Sequence, residues 1–240
     1  MNKSKNWDLM SKDFDNSNID KLNEKNSDNM KIAWPIIIKD IKKYIIENSE
    51  ILDFGCGMGS FSNYLTTLGY KVTGMDYSKE MINLANKYFV KNVKFIKGSI
   101  KELNNLDKKF NIITSIMVLQ FIEEINEYVK CFYKILDING IVTITVFNPD
   151  FVKQYSDKNI IFGKLKKFNN HIKTNFELTK GIKINVYIRS ENQYKKLFEK
   201  QEFKHLSTHY PPFTQEFVKK YNWPFPYNIP EFMIMSFQKN

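Results

Sequence analysis

The sequence predicts a doubly wound α/β fold built on a mostly parallel sheet, and three observations predict it. The apolar run Ile51-Leu52-Asp53-Phe54 opens into Gly55-Cys56-Gly57-Met58-Gly59, followed by a helix-like pattern from Ser60. Glycine lets a backbone come within contact distance of a ligand, because it has no Cβ and accepts φ > 0. An acidic residue, Asp76, stands about one βα unit downstream. Between residues 50 and 148 short β-branched runs alternate with helical patterns of roughly 9–15 residues, which is the signature of parallel strands joined by crossover helices. Together these form the nucleotide-binding corner of a doubly wound domain.

The elements follow in order. Residues 1–30 are polar, with Trp7, Leu9, Met10 and Phe14 at helical spacing, and read as a mobile or ligand-ordered arm. Pro35 suits the first turn of a helix reaching about Glu47. Strands are expected at Ile51–Phe54, Lys71–Met75, Val93–Lys97, Phe110–Ser115 and, after an Asn139-Gly140 turn, Ile141–Phe147. Helices are expected at Ser60–Leu68 (closed by Gly69), from Ser78 to Tyr88, and at Glu123–Leu136. Residues 150–180 lack clear periodicity and read as an insertion, left through a strand at Lys183–Ile188. A helix at Ser190–Glu199 and strands at Phe203–Tyr210 and Phe232–Phe237 complete the chain. The whole is expected to be one domain: an arm or lid (1–34), a cofactor-binding core (35–148), an insertion over the active site (149–188) and a C-terminal part of the sheet (189–240).

Composition narrows the partners. The 240 residues are 42% hydrophobic and 15% aromatic, enough for a sizeable core. No run approaches the roughly 18 apolar residues of a membrane span, and the N-terminus lacks the apolar core of a secretory signal. Two cysteines, Cys56 and Cys131, give no disulfide framework, so a cytoplasmic location is expected. The formal charge of +10 invites a nucleic-acid partner, but Arg189 is the single arginine among 36 basic residues. Arginine is the preferred residue for bidentate phosphate and base contacts. The lysines read as a solvated surface, and RNA stays an alternative substrate.

Asp53 selects the ligand of the glycine corner. A carboxylate at the end of the first strand repels a pyrophosphate but suits a cation. S-adenosylmethionine carries a sulfonium and an ammonium and no phosphate. Asp76, at the end of the second strand, can accept hydrogen bonds from two ribose hydroxyls. No His, Cys and carboxylate cluster has metal-ligand spacing, so no metal is expected.

At these residues the sequence resembles the class I S-adenosylmethionine-dependent methyltransferases. The matching segments are Ile51–Gly59, Val72-Thr73-Gly74-Met75-Asp76-Tyr77-Ser78, Val93–Ile100, Phe110–Ser115 and Leu136–Ile141. The resemblance implies a Rossmann-like, seven-stranded sheet with an antiparallel last strand and helices on both faces. It also implies roles: Asp53, Gly55, Cys56 and Gly57 against the methionine portion of the cofactor, and Asp76 on the ribose. Tyr77 and Met81 would flank the adenine, Ser99 and Ile100 would meet its edge, and Ser115 and Met117 would stand near the reacting sulfur. The chain departs from the family at Ser99 and Asn111, where Asp is usual, and at Gln120, near which small-molecule members often place His. Those departures leave the catalytic base unassigned.

His171 and His209 are the candidate bases, each with a structural role as the alternative; His205 and His209 would share one strand face by period two. Phe14, Trp34 and Tyr210 are candidates for the acceptor pocket. Arg189 is expected to pair with a surface carboxylate, with an acidic substrate group as the alternative partner. The expected function is methyl transfer from S-adenosylmethionine to an oxygen or nitrogen of a small molecule, by proximity and orientation. A non-catalytic S-adenosylmethionine-binding module is the further alternative.

Overall fold

Strand β1 (Glu50–Phe54) is buried on both faces, as the central strand of a parallel sheet must be. In this computed structural model, which describes residues 3–15, 28–44, 48–89, 93–157, 161–179, 181–223 and 228–240, β1 pairs in parallel with β2 (Lys71–Asp76) and with β4 (Phe110–Ile116). Strand β3 (Lys94–Lys97) lies beyond β2, and β5 (Leu136–Phe147) beyond β4. A second, three-stranded antiparallel sheet is made of β6 (Lys166–Lys167), β7 (Ile172–Thr179) and β8 (Ile182–Ile188). Strand β10 (Phe232–Lys239) runs antiparallel between β5 and β9 (Phe203–His209). The main sheet therefore has the order β3-β2-β1-β4-β5-β10-β9, with the last strand antiparallel to the rest.

Helices cover both faces. On one, α2 (Trp34–Lys42), α3 (Ser60–Thr67) and α9 (Gln215–Lys220) bury Ile37, Ile41, Phe61, Leu65 and Phe217 against Ile51, Ile112 and Ile234. On the other, α5 (Ile100–Asn104), α6 (Asn126–Ile135) and α8 (Glu191–Glu199) bury Leu103, Phe132 and Phe198 against Leu52, Ile113 and Phe237. Helix α4 (Lys79–Phe89) follows β2, and α7 (Pro149–Asp157) follows β5. Ser190 caps α8 in a capping box with Gln193, so the sequence marks that start twice.

The helical spacing in the arm belongs to a helix, α1 (Lys3–Asp15), with Met10 set against Met58, Met81 and Leu84. Several other expectations are corrected. Helix α6 ends at Ile135, and Leu136 already begins β5; Asn139, at φ +62°, sits inside the strand rather than in a separate turn. The helix at Pro35 runs to Lys42, and residues 45–47 of its expected span lie outside the described residues. In the 150–180 region β7 alternates Ile172, Thr174 and Phe176 with Lys173, Asn175 and Glu177; a threonine among the inward positions hides the period. The faces of His205 and His209 differ from expectation. The pairing of β9 with β10 slips by one between Ser207 and His205, and such a bulge reverses the facing of everything beyond it. His205 meets the ring of Phe237 on one face, while His209 reaches Asp40 on the other.

Asp40, on α2, is the polar centre of its face and is 2% exposed. Its Oδ2 accepts from Ser207 Oγ (2.7 Å), His209 Nε2 (2.9 Å) and Ser236 Oγ (3.2 Å), and its Oδ1 from Lys43 Nζ (2.8 Å). Burial raises the carboxyl, but the hydrogen bonds of Lys43 and Ser207 and the neighbouring His209 outweigh it and hold it below the ordinary value. Asp40→Ala orphans these donors and is expected to cost roughly 3 kcal/mol, a fall in Tm on the order of 6–12 °C by calorimetry. Since the folded carboxyl titrates below its unfolded value of 3.8, this stabilisation is full at neutral pH and is lost as pH falls through the folded value. The wild-type and variant melting curves should converge only in acid.

Candidate active site

The loop after β1 is fixed by what it cannot accommodate. Gly55 has φ +77°, and a Cβ there would stand 2.2 Å from Val118 Cγ2. Gly57 has φ +54° and the opposite surroundings: a Cβ would meet nothing within 4 Å. The loop is pegged to the end of β2, with Gly55 N and Cys56 N donating to Met75 O at 2.7 and 3.1 Å. Gly57 N donates to Asp76 Oδ2 at 2.9 Å, and Ser78 N to Asp76 Oδ1 at 2.8 Å. Each Asp76 oxygen keeps a lone pair for a further donor. Gly98 N donates to Asp76 O at 2.8 Å, which sets the end of β3 beside it.

Asp53 is buried one residue before the loop ends of β1. Its Oδ2 accepts from Ser62 Oγ at 2.6 Å and its Oδ1 from Thr114 Oγ1 at 3.0 Å. Burial, offset only partly by those hydroxyls, pushes the Asp53 carboxyl up to about 6, and the charge of Asp76 adds to the rise. Burial likewise raises Asp76 despite its backbone N–H partners, and Asp8 adds to it. The Cys56 thiol is driven far up by burial and by both carboxylates, so it is a packed thiol rather than a nucleophile. Tyr77 is half-buried, its hydroxyl raised by burial and by Asp76 and Asp8. Among the described residues no cation acts on Asp53 or Asp76.

Other expected residues gather at the same edge. Met81 is buried with Met58 and Leu84. Ser99 starts α5, its N and Oγ both donating to Glu102 Oε2 at 2.8 Å, and Ile100 packs inward behind it. Ser115 is fully buried, and its Oγ has no hydrogen-bond partner among the described residues. Met117 takes a left-handed φ of +57° and donates its N to Thr145 O at 2.8 Å. Gln120 is 1% exposed: Nε2 donates to Met117 Sδ at 3.6 Å, and Oε1 is unpartnered among the described residues. Unsatisfied buried acceptors beside an open cradle are what a site for a hydrogen-bonding ligand leaves behind in protein atoms alone.

Other candidates lie apart. Trp34 packs on α3, against Phe61 (4.9 Å) and stacked on Tyr64 (5.5 Å). Tyr210 is at the outer edge strand, its hydroxyl donating to Glu191 Oε2 at 3.0 Å. His171 is buried in the second sheet, between Phe168 and Tyr187, with its proton affinity lowered by burial. The side chain of Phe14 lies outside the described residues. Arg189 is not on the surface: it is 3% exposed and donates to the carbonyls of Tyr187, Ile122 and Glu123. It pins the second sheet to the segment after β4. Asn111 serves the opposite edge, accepting from Glu50 N (2.8 Å) and donating to Asp137 Oδ2 (3.0 Å).

Sequence reasoning missed Asp8 and Phe121. Asp8 Oδ1 accepts from Ser78 Oγ at 2.7 Å, and Trp7 meets Phe121 edge-on at 5.1 Å. These contacts lay α1 across the ends of β2 and β4. The available signal was the amphipathic spacing of Trp7 and Met10, which framed Asp8.

A family model described as a methyltransferase domain matches residues 22–220. The chain belongs to this methyltransferase family. A ubiquinone biosynthesis O-methyltransferase from Rickettsia bellii is 33% identical over 117 residues, 47% of this chain and 48% of that protein. The corresponding enzyme from Pelagibacter ubique is 34% identical over 118 residues, 47% and 49% of the two. The chain thus spans about half the length of the curated relatives it matches. An S-adenosylmethionine dependent methyltransferase from Mesorhizobium loti shares the fold with a TM-score of 0.64 at 15% identity, covering 84% of this chain and 96% of that one. So does the magnesium protoporphyrin IX methyltransferase from Synechocystis PCC 6803 with bound SAH (TM-score 0.58, 16% identity, 86% and 80% covered).

In this methyltransferase the Asp53 carboxyl is a liability without a ligand. It titrates near 6 when folded and near 3.8 when unfolded, so the unfolded chain ionises first as pH rises. Stability is therefore lost between about pH 4 and 6, by roughly 3 kcal/mol, and stays lost above. Asp53→Asn should remove that loss and stabilise the unliganded protein at pH 7 by roughly 1–3 kcal/mol. Melting curves at pH 4 and pH 7 test it: a variant less stable than wild type at pH 7 contradicts the argument.

Proposed function

We propose that the chain transfers a methyl group from S-adenosylmethionine to an oxygen or nitrogen nucleophile of a small molecule. The observation that carries this reading is the pairing of two uncompensated carboxylates, Asp53 and Asp76, with a left-handed Gly57 whose missing side chain leaves open space. A phosphate-bearing ligand would be repelled there; a cationic one relieves the charge. The donor would supply a methyl group made electrophilic by its sulfonium.

The chain's own residues would act by holding and drying. Asp76 would take ribose hydroxyls on its free lone pairs, and Asp53, Gly55, Cys56 and Gly57 would border the methionine portion. Tyr77 and Met81 would flank the adenine, with Ser99 and Ile100 at its edge and Ser115 and Met117 toward the reacting end. Helix α1 would act as a lid: Trp7 on Phe121 and Met10 on Met58 exclude water above the site. The second sheet, pinned by Arg189, would wall the acceptor side. Alignment and dehydration alone can supply several kcal/mol of barrier lowering. His209 has Nε2 committed to Asp40, and His171 is enclosed in the second sheet, so neither is offered as the base. The free cysteines Cys56 and Cys131 fit a cytoplasmic setting. Among the described residues no helix is long and apolar enough to cross a membrane, and no three metal-ligating side chains gather.

Titration calorimetry with S-adenosylhomocysteine tests the reading. Asp76→Ala should weaken binding roughly 100-fold, the worth of two hydrogen bonds to a charged group. Binding should also weaken as pH falls through about 6, by up to tenfold per unit, because the protonated Asp53 no longer attracts the ligand's ammonium. Unchanged affinity in Asp76→Ala would falsify the assignment, and methyl transfer to a metabolite extract from labelled donor measures turnover.

A further inference from the structure

Helix α1 is fastened beside the glycine corner through one carboxylate. Ser78, buried at the start of α4, uses its hydroxyl twice: Oγ accepts from Met81 N at 3.2 Å and donates to Asp8 Oδ1 at 2.7 Å. Glu80 N also donates to Asp8 Oδ1, at 3.4 Å. Asp8 therefore caps α4 from 70 positions away in sequence, and the positive end of the helix dipole favours its charge there. The backbone N–H of the same serine donates to Asp76 Oδ1 at 2.8 Å. A single residue thus joins the carboxylate of α1 to the carboxylate at the end of β2.

The two sides of this junction pull against each other. The cap draws Asp8 onto α4, while Asp76 carries a like charge: burial raises the Asp76 carboxyl, and the charge of Asp8 adds to the rise. Around the junction the contacts are apolar, with Trp7 on Phe121 at 5.1 Å and Met10 against Met58, Met81 and Leu84. A helix of 13 residues is marginal in water by itself, so α1 depends on docking for its helical form. Its docking is a balance that one added charge can tip.

We infer that Asp8 discriminates the methyl donor from its product, holding α1 down over the cationic donor and releasing it from the neutral product. The inference rests on the methyl-transfer reading and adds a charge-reading latch to the same site. In the transfer, the lone pair of the nucleophile forms a bond to the methyl carbon and the sulfur–methyl bond breaks, its electron pair staying on sulfur. The sulfonium becomes a neutral thioether. That sulfur is joined through one carbon to the ribose that Asp76 would take, so the positive charge disappears beside the Asp8–Ser78–Asp76 junction. Away from bulk water such a charge acts far more strongly than in it. With the charge present, the two carboxylates share a counter-charge and α1 stays docked; without it, their repulsion opposes the cap and α1 lifts.

The probes are S-adenosylhomocysteine, a thioether, and sinefungin, which has an ammonium group near the position of the donor's sulfonium. Each is held at saturation, checked by calorimetry, while hydrogen exchange of residues 3–15 is followed by mass spectrometry. In the wild-type protein α1 is expected to exchange roughly fivefold more slowly, or better, with sinefungin than with S-adenosylhomocysteine. Asp8→Asn keeps an oxygen for Ser78 and Glu80 but carries no charge, and should bring the two rates within about twofold. Asp8→Ala removes the cap, and α1 should exchange fast with either ligand, while the amides of β4 keep their wild-type protection in both variants. Equal protection of wild-type α1 by the two ligands overturns the inference, as does a difference that persists in Asp8→Asn. Protection of α1 that is the same with no ligand, with either ligand and in Asp8→Ala also overturns it, and marks α1 as permanently packed. If calorimetry finds neither ligand bound, the methyl-transfer reading itself fails and the latch falls with it.

Discussion

No side chain fits at Gly55, and much of the site follows from that. With Val118 2.2 Å from where a Cβ would be, the loop after β1 is locked against the segment after β4. At Gly59, φ +85°, a Cβ would stand 2.4 Å from Phe95 Cζ, so the same loop is locked to β3 as well. Both positions require the left-handed region, which costs an ordinary residue roughly 1–2 kcal/mol before any clash. Three strand ends are thereby held at close quarters around Gly57, the one glycine of the loop with space above it. The backbone N–H of Gly57 then fixes the carboxylate of Asp76, so this acceptor is aligned by the loop rather than by its own rotamer preference.

This geometry concentrates negative charge. Asp53, Asp76 and Asp8 lie near one another, and each raises groups in its neighbourhood: Asp8 acts on Asp76 and Tyr77, and Asp53 and Asp76 act on Cys56. The Asp40 cluster shows what the same fold does when it intends a structural carboxylate, giving it a lysine, a histidine and two hydroxyls. Asp53 receives two neutral hydroxyls and no cation. The two buried carboxylates thus differ on one face: Asp40 is paired with cations, and Asp53 has none among the described residues.

The glycine corner was legible because its determinants are local. The glycine loop, Asp76 and the strand alternation each sit within a few residues of what they position, and the sheet order follows from right-handed crossovers. The rest depends on pairings that no local pattern encodes. The fate of Arg189 was set by carbonyls some 66 residues away, and its charge alone suggested a surface partner. The bulge in β9 reversed one of two histidines that period two placed together. Thr114 meets Asp53 across 61 residues of sequence, a pairing that the strand pattern of β4 does not mark.

The charge balance of the molecule gains meaning from this division. The net +10 comes from a chain in which all but one of the 36 basic residues are lysine, whereas Asp53 and Asp76 lie buried at the carboxyl edge of the sheet with no cation acting on them among the described residues. Surface charge acts beyond about 8 Å only weakly at physiological salt, so the lysine field does little to exclude a cationic ligand from a short-range acidic pocket. A polyanion faces the reverse situation: drawn to the surface, it would be repelled by the carboxylates Asp53 and Asp76 at the carboxyl edge of the sheet. The single arginine able to clamp a phosphate bidentately is already bonded to three backbone carbonyls. Surface and interior therefore attract opposite charges, and desolvation strengthens each interaction of the interior.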